Sequence, residues 1–206
     1  MKKVIFLDRD GVINVDVNYL YRIEDLTFMP GAAEALALAV KSGYELIVVT
    51  NQSGVARGYY TEDDVKKLHA YMGDALAAKG APILQFYYCP HHEKGTVPAY
   101  TKACDCRKPK PGMILKAMEE YAVDRSASFL IGDKPSDVEA AHNAGIDGYL
   151  FEGDDLLPFM QSILKEREGK QNQSATQSDI KTETQTEAQI EKQAETQTKE
   201  NIQLEK

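Results

Sequence analysis

Asp8 and Asp10 stand two apart at the end of the apolar run Val4-Ile5-Phe6-Leu7, and Gly11 follows them. Two carboxylates placed there suit a nucleophile together with a divalent-cation site. Gly11 lets the chain turn sharply behind them, although Asp and Gly also make ordinary turns. A second apolar run, residues 45–49, passes directly into Thr50-Asn51-Gln52-Ser53-Gly54. Its hydroxyls and amides can present several hydrogen-bond donors to an anion. Arg57 lies close enough in sequence to add the bidentate contact that phosphate favours. A third run, Phe129-Leu130-Ile131, ends in Gly132-Asp133-Lys134, with Asp137 one helical turn on. A third carboxylate fits the small protein ligand set of Mg²⁺, and Lys134 would limit the repulsion among Asp8, Asp10 and Asp133. Arg107-Lys108-Pro109 precedes Pro111-Gly112, and two cations there can neutralise charge on a transferring phosphoryl group.

A separate cluster points to a second metal. Cys89-Pro90-His91 and Cys104-Asp105-Cys106 offer three thiolates and one imidazole, using every cysteine of the chain. Four such donors make a closed tetrahedral set of the structural-zinc kind. His92 is a rival to His91 on the residues alone. A closed site leaves no position for chemistry, so its expected work is to fold the loop and fix Arg107 and Lys108, which follow it directly.

These groups need a scaffold that gathers strand ends separated in sequence. Strand-like runs recur at 4–7, 45–49, 83–88, 128–131 and 148–151. Helix-like patterns fall between them, at about 30–41, 61–80, 112–121, 136–144 and 155–167. Thr61-Glu62-Asp63-Asp64 reads as a capping sequence. Strand–helix alternation implies an α/β fold, a parallel sheet with helices on both faces and its chemistry at the carboxyl ends of the strands. Only residues 11–29 separate Asp10 from Pro30, too few for a large cap domain, so loops are expected to cover the cleft. Those loops are Asp16-Val17-Asn18-Tyr19, residues 54–60 and the cysteine loop. For Tyr59 and Tyr60, core or surface packing is the expected role.

Composition narrows the setting. The formal charge of −8 opposes nonspecific nucleic-acid binding, which needs a basic face. No apolar stretch is long enough to span a bilayer, so no membrane partner is expected. The amino end enters a strand at once, so no signal peptide is expected, and the expected compartment is the cytoplasm, where thiols stay reduced. Residues 1–168 suit one domain, whereas 169–206, rich in Gln, Thr, Glu and Lys, reads as a disordered low-complexity tail.

VIFLDRDGVIN, VVTNQSG, RKPKPG and LIGDKPSD, in this order, resemble the four motifs of the haloacid-dehalogenase (HAD) phosphatase superfamily. The likeness covers residues 3–168. DRDGVIN with TNQSGVARG is similar to the heptose-bisphosphate phosphatase branch, with histidinol-phosphate phosphatases as the alternative. The resemblance implies a HAD-like Rossmannoid sheet and Mg²⁺-dependent removal of a sugar phosphate in nucleotide-activated heptose synthesis. It implies that Asp8 is the nucleophile and Asp10 the acid and then the base. Mg²⁺ would be held by the carboxylates of Asp8 and Asp133 and by the Asp10 backbone carbonyl. Thr50 and Lys108 would hold the phosphoryl oxygens. Arg107 would recognise substrate, Asp16 and its neighbours through Tyr19 would contact it, and Lys134 would lie near substrate or metal. It favours His91 over His92 for zinc and a small-molecule sugar phosphate as substrate, and the expected protein is monomeric or weakly associating. Rival readings are a non-catalytic zinc-stabilised binding protein and a phosphotransferase using the same aspartyl-phosphate.

Overall fold

The computed structural model describes residues 1–170, so nearly all of the tail lies outside the described residues. The chain divides into two compact units, Met1–Gln161 and Ser162 onward. The described part of the second, residues 162–170, is helical.

The first unit is built on five parallel strands: β1 (Val4–Leu7), β2 (Glu45–Asn51), β3 (Ile83–Cys89), β4 (Phe129–Gly132) and β5 (Asp147–Leu150). Their spatial order is β3-β2-β1-β4-β5. Four helices connect them: α1 (Ala32–Lys41), α2 (Glu62–Ala77), α3 (Gly112–Tyr121) and α4 (Pro135–Asn143). Each strand-like run and each of these four helical patterns forms within a few residues of its sequence-based bounds, and the addition is a short 3-10 turn at Ile23–Asp25.

β1 is buried along its whole length, which is why it reads as an unbroken apolar run instead of an alternating one. Val4 and Phe6 join Ile47, Val49 and Leu130 in a core against Met113, Ile114 and Ala117 of α3 and Ala140 and Ala141 of α4. The alternate residues Ile5, Leu7, Leu46 and Val48 are also fully buried and point to the other face. α1 and α2 cover that face, as right-handed crossovers that first step one way along the sheet and then the other require.

The direction of the chain reverses at β1. The first two crossovers lead to β2 and β3, and the return crossover lands on β4. Such a switch point opens a crevice at the carboxyl ends of the flanking strands. Asp8, the Thr50-Asn51 end of β2 and Asp133 meet there. The register sets Leu7, the last residue of β1, against Val48 on one side and Ile131 on the other, and β2 runs three residues further, to Asn51.

Candidate active site

Asp8 leaves the end of β1 with its backbone N–H donating to Ile131 O at 2.9 Å. Its carboxylate is buried, and Lys108 Nζ lies 2.8 Å from Oδ1. The same ammonium lies 2.7 Å from Asp137 Oδ1, so one buried cation bridges two carboxylates. Burial pushes the Asp8 carboxyl up to about 7; Lys108 opposes this, while Asp137 and Asp10 add to it. Burial alone would lower Lys108, but Asp8 and Asp137 outweigh it and hold the ammonium above its usual range. Asn51 fixes where this lysine stands. Its Nδ2 donates to Lys108 O at 3.1 Å and its Oδ1 accepts from Lys108 N at 3.0 Å. Both ends of the amide are used on backbone, so this residue positions Lys108.

Asp10 sits in a different environment. Arg9 Nη2 donates to both its carboxylate oxygens, at 3.0 and 2.9 Å. Asn14 Nδ2 donates to Oδ1 at 3.0 Å, and Gln52 Nε2 donates to Oδ2 at 2.9 Å. Burial would raise the carboxyl, but Arg9 and these amide donors prevail and hold it below the usual carboxylate range. Gln52 is in turn fixed by Tyr60, whose hydroxyl donates to Oε1 at 2.7 Å, and its Nε2 also donates to Thr50 Oγ1 at 2.9 Å. Tyr60 is therefore both packed, as expected from sequence, and part of the site. Two acids two residues apart are thus pushed in opposite directions, Asp8 up by burial and Asp10 down by its donors.

Asp8, Asp133 and Asp137 each offer an oxygen, and these atoms lie within 4.8 Å of one another. Asp133 Oδ1 is buried and accepts no hydrogen bond, which leaves a lone pair aimed at nothing in the protein. Gly11 makes this approach possible: at φ +83° it needs no side chain, and a Cβ there would stand 2.5 Å from Asp133 Oδ2. A hard oxygen set with one unsatisfied buried member fits Mg²⁺. Asp137, which the sequence reading placed one turn past Asp133 without a role, belongs to this carboxylate cluster. Lys134 closes the rim, 3.4 Å from Asp133 and 3.2 Å from Asp16. Burial would lower Lys134, but Asp133 and Asp16 raise it.

The resulting cleft has a volume of about 410 Å³. Asp8, Asp10, Asp16, Tyr19, Thr50, Asn51, Gln52, Ser53, Arg107, Lys108 and Lys134 all line it, with Asn18, Tyr60, Ser136 and Asp137. Arg57 is not among them. Its Nη2 lies 3.3 Å from His92 Nε2 and its carbonyl accepts from Thr96 Oγ1 at 2.9 Å, so it braces the cysteine loop instead of offering a bidentate phosphate contact. Arg9, Asn14 and His69 were not singled out in sequence. A lone Arg between two acids reads as surface charge balance, and only the packing of α2 shows that it is buried.

At the cysteine loop, the sulfur of Cys106 lies 3.1 Å from that of Cys89 and 3.3 Å from that of Cys104. His91 Nδ1 is 3.4 Å from Cys106 Sγ and 3.7 Å from Cys89 Sγ. Thus His91 faces the sulfurs, whereas His92 Nδ1 accepts from Lys94 N. Three sulfurs and a nitrogen converging on one point suit a tetrahedral ion. The loop is anchored to the turn after β2 by Thr96 and Val97 N–H groups donating to Ala56 O, and Arg107 Nη1 donates to His91 O.

Fold and site together define a hydrolase of the HAD type. A HAD-hydrolase-like family model matches residues 105–155. The D-glycero-β-D-manno-heptose-1,7-bisphosphate 7-phosphatase of Rhodopseudomonas palustris is 50% identical over 163 residues, 79% of this chain and 91% of that one. The D-glycero-α-D-manno-heptose-1,7-bisphosphate 7-phosphatase of Photorhabdus laumondii is 48% identical over 144 residues, 70% of this chain and 79% of that one. The crystal structure of D,D-heptose 1,7-bisphosphate phosphatase from B. bronchiseptica, complexed with magnesium and phosphate, matches with a TM-score of 0.69 at 30% identity, covering 80% of this chain and 99% of that one. The chain belongs to the heptose-1,7-bisphosphate 7-phosphatase family of HAD hydrolases. Among the described residues, no helix is long and apolar enough to cross a membrane.

Proposed function

We propose that the chain hydrolyses the 7-phosphate of D-glycero-D-manno-heptose 1,7-bisphosphate through a phosphoryl group carried on Asp8. The observation that carries this reading is the pairing of Asp8, ion-paired to Lys108, with an Asp10 held by four donor atoms at the same strand end. Asp8 attacks phosphorus, the bond from phosphorus to the sugar oxygen breaks, and Asp10 gives its proton to that oxygen. Water then attacks the phosphorus, Asp10 takes the water's proton, and inorganic phosphate leaves with Asp8 restored. Lys108 and the Thr50 hydroxyl hold the phosphoryl oxygens, while Arg107, Asp16, Tyr19 and Lys134 face the sugar side.

The carboxylates of Asp8 and Asp133, with the Asp10 carbonyl, would hold Mg²⁺, and Asp137 stands beside them. When bound, Mg²⁺ supplies charge neutralisation that lets a carboxylate approach an anionic phosphate. Cys89, His91, Cys104 and Cys106 would hold a structural Zn²⁺. Thiolate ligands need a reducing compartment, and the cytoplasm supplies one.

The test is phosphate release in Mg²⁺ from the α and β anomers of heptose bisphosphate and from histidinol phosphate. A preference for either heptose anomer is expected, and faster release from histidinol phosphate would sink the substrate assignment. Asp8→Asn should release no phosphate from any of them.

A further inference from the structure

Arg9 is fully buried and does not line the cleft. Besides gripping both oxygens of Asp10, its Nη2 donates to Leu20 O at 2.9 Å, just beyond the left-handed pair Asn18 and Tyr19. Its Nη1 lies 3.4 Å from Nε2 of His69, in α2. An arginine has no lone pair to offer, so His69 Nε2 must be the acceptor, and its proton sits on Nδ1.

The surroundings of His69 keep it in that form. The ring is buried, stacked on Phe86 with centroids 4.7 Å apart, and edge-on to Tyr88 at 5.8 Å. Burial first, and the Arg9 charge second, push its pKa down to about 3. A slot between two aromatic rings would accept an apolar side chain. What the imidazole adds is one acceptor, spent on the guanidinium that grips Asp10.

We propose that His69 is a positioning residue for proton transfer: through Arg9 it fixes the Asp10 carboxylate where it meets the leaving-group oxygen. The assignment rests on the phosphatase reading above, because it needs Asp10 to protonate a departing alcohol. It goes beyond that reading by placing a determinant of the reaction on α2, behind the sheet end and outside the cleft.

The discriminating experiment varies the leaving group. An alkoxide leaves only with a proton, whereas p-nitrophenolate leaves without one, and kcat/KM reports the steps up to transfer onto Asp8. Wild type, His69→Leu and His69→Gln are compared in Mg²⁺ on p-nitrophenyl phosphate and on whichever alkyl phosphate the wild type hydrolyses fastest. His69→Leu should lower kcat/KM roughly tenfold or more on the alkyl phosphate and less than about threefold on the aryl one. His69→Gln, whose Oε1 reaches the position of Nε2, should restore most of the loss. Equal losses on both substrates, no loss, or a loss that Gln leaves unrestored would each overturn the proposal. Thermal melts confirm that the variants fold, and His69→Met makes the same comparison if His69→Leu does not. Absence of wild-type activity on every phosphomonoester would instead refute the phosphatase reading itself.

Discussion

Lys108 shows how much of this site depends on one buried cation. Its ammonium lies within 2.8 Å of Asp8 and 2.7 Å of Asp137, with almost no solvent to share the charge. Removing one partner of a buried ion pair strands the other, at a cost of about 3–5 kcal/mol. Lys108→Met should therefore lower the thermal midpoint measurably as well as abolish phosphate release, because two carboxylates lose their counter-ion together. Asn51→Ala separates position from charge. It deletes two hydrogen bonds to the Lys108 backbone but leaves the ammonium in place, and the buried groups left unpaired cost about 1–3 kcal/mol. The expected result is a lower kcat with a modest fall in melting temperature. A kcat equal to wild type would show that Lys108 is held adequately without it. Asn51 also marks a limit of the sequence reading. TNQSG announced a polar turn at a strand end, yet whether an amide faces ligand or backbone depends on a residue 57 positions away.

At the scale of elements, apolar runs and capping signals carried most of the fold. β1 is legible because a strand covered on both faces tolerates nothing polar, and α2 because Thr61 and Asp64 bond reciprocally at its start. The short turn at Ile23–Asp25 was not legible, since it buries no residue and has no periodicity to show. Arg9 was hidden for the opposite reason: its burial is created by His69 and Leu20, which only the tertiary fold brings to it. The cysteine loop was legible by composition, and the structure adds what it holds. It is stitched to Ala56 on one side and runs into Arg107 and Lys108 on the other, while Gly112 N donates to Asp105 O. Cys106→Ser should therefore lose zinc, lower the melting temperature and raise KM for a bisphosphate substrate more than it lowers kcat. Zinc analysis with steady-state kinetics checks this, and unchanged values of both would remove the loop from substrate binding.

For the whole molecule, Asp8 and Asp133 make stability depend on pH and on Mg²⁺ together. Asp8 has an ordinary value of 3.8 and a folded value of about 7, raised first by burial. Between those limits the folded protein holds a proton that the unfolded chain has released, so this group makes stability fall as pH rises. Asp133, also raised chiefly by burial, acts with the same sign. His69 opposes them. Its value drops from 6.5 to about 3, so the unfolded chain binds the extra proton, and stability from this group rises with pH across nearly the same window. The wild-type curve therefore conceals both terms, and a difference measurement is needed to separate them. In Mg²⁺-free buffer, Asp8→Asn should gain on wild type as pH rises from about 4 to about 7, because the variant has no carboxyl to ionise at that position. Mg²⁺ binds the ionised carboxylates, so the melting-temperature increase it gives wild type should be larger at pH 8 than at pH 5, and smaller in Asp8→Asn at both. Thermal melts of the two proteins with and without Mg²⁺ measure all of this. An Mg²⁺ increment that ignores pH, or one that Asp8→Asn retains in full, would place the ion away from Asp8.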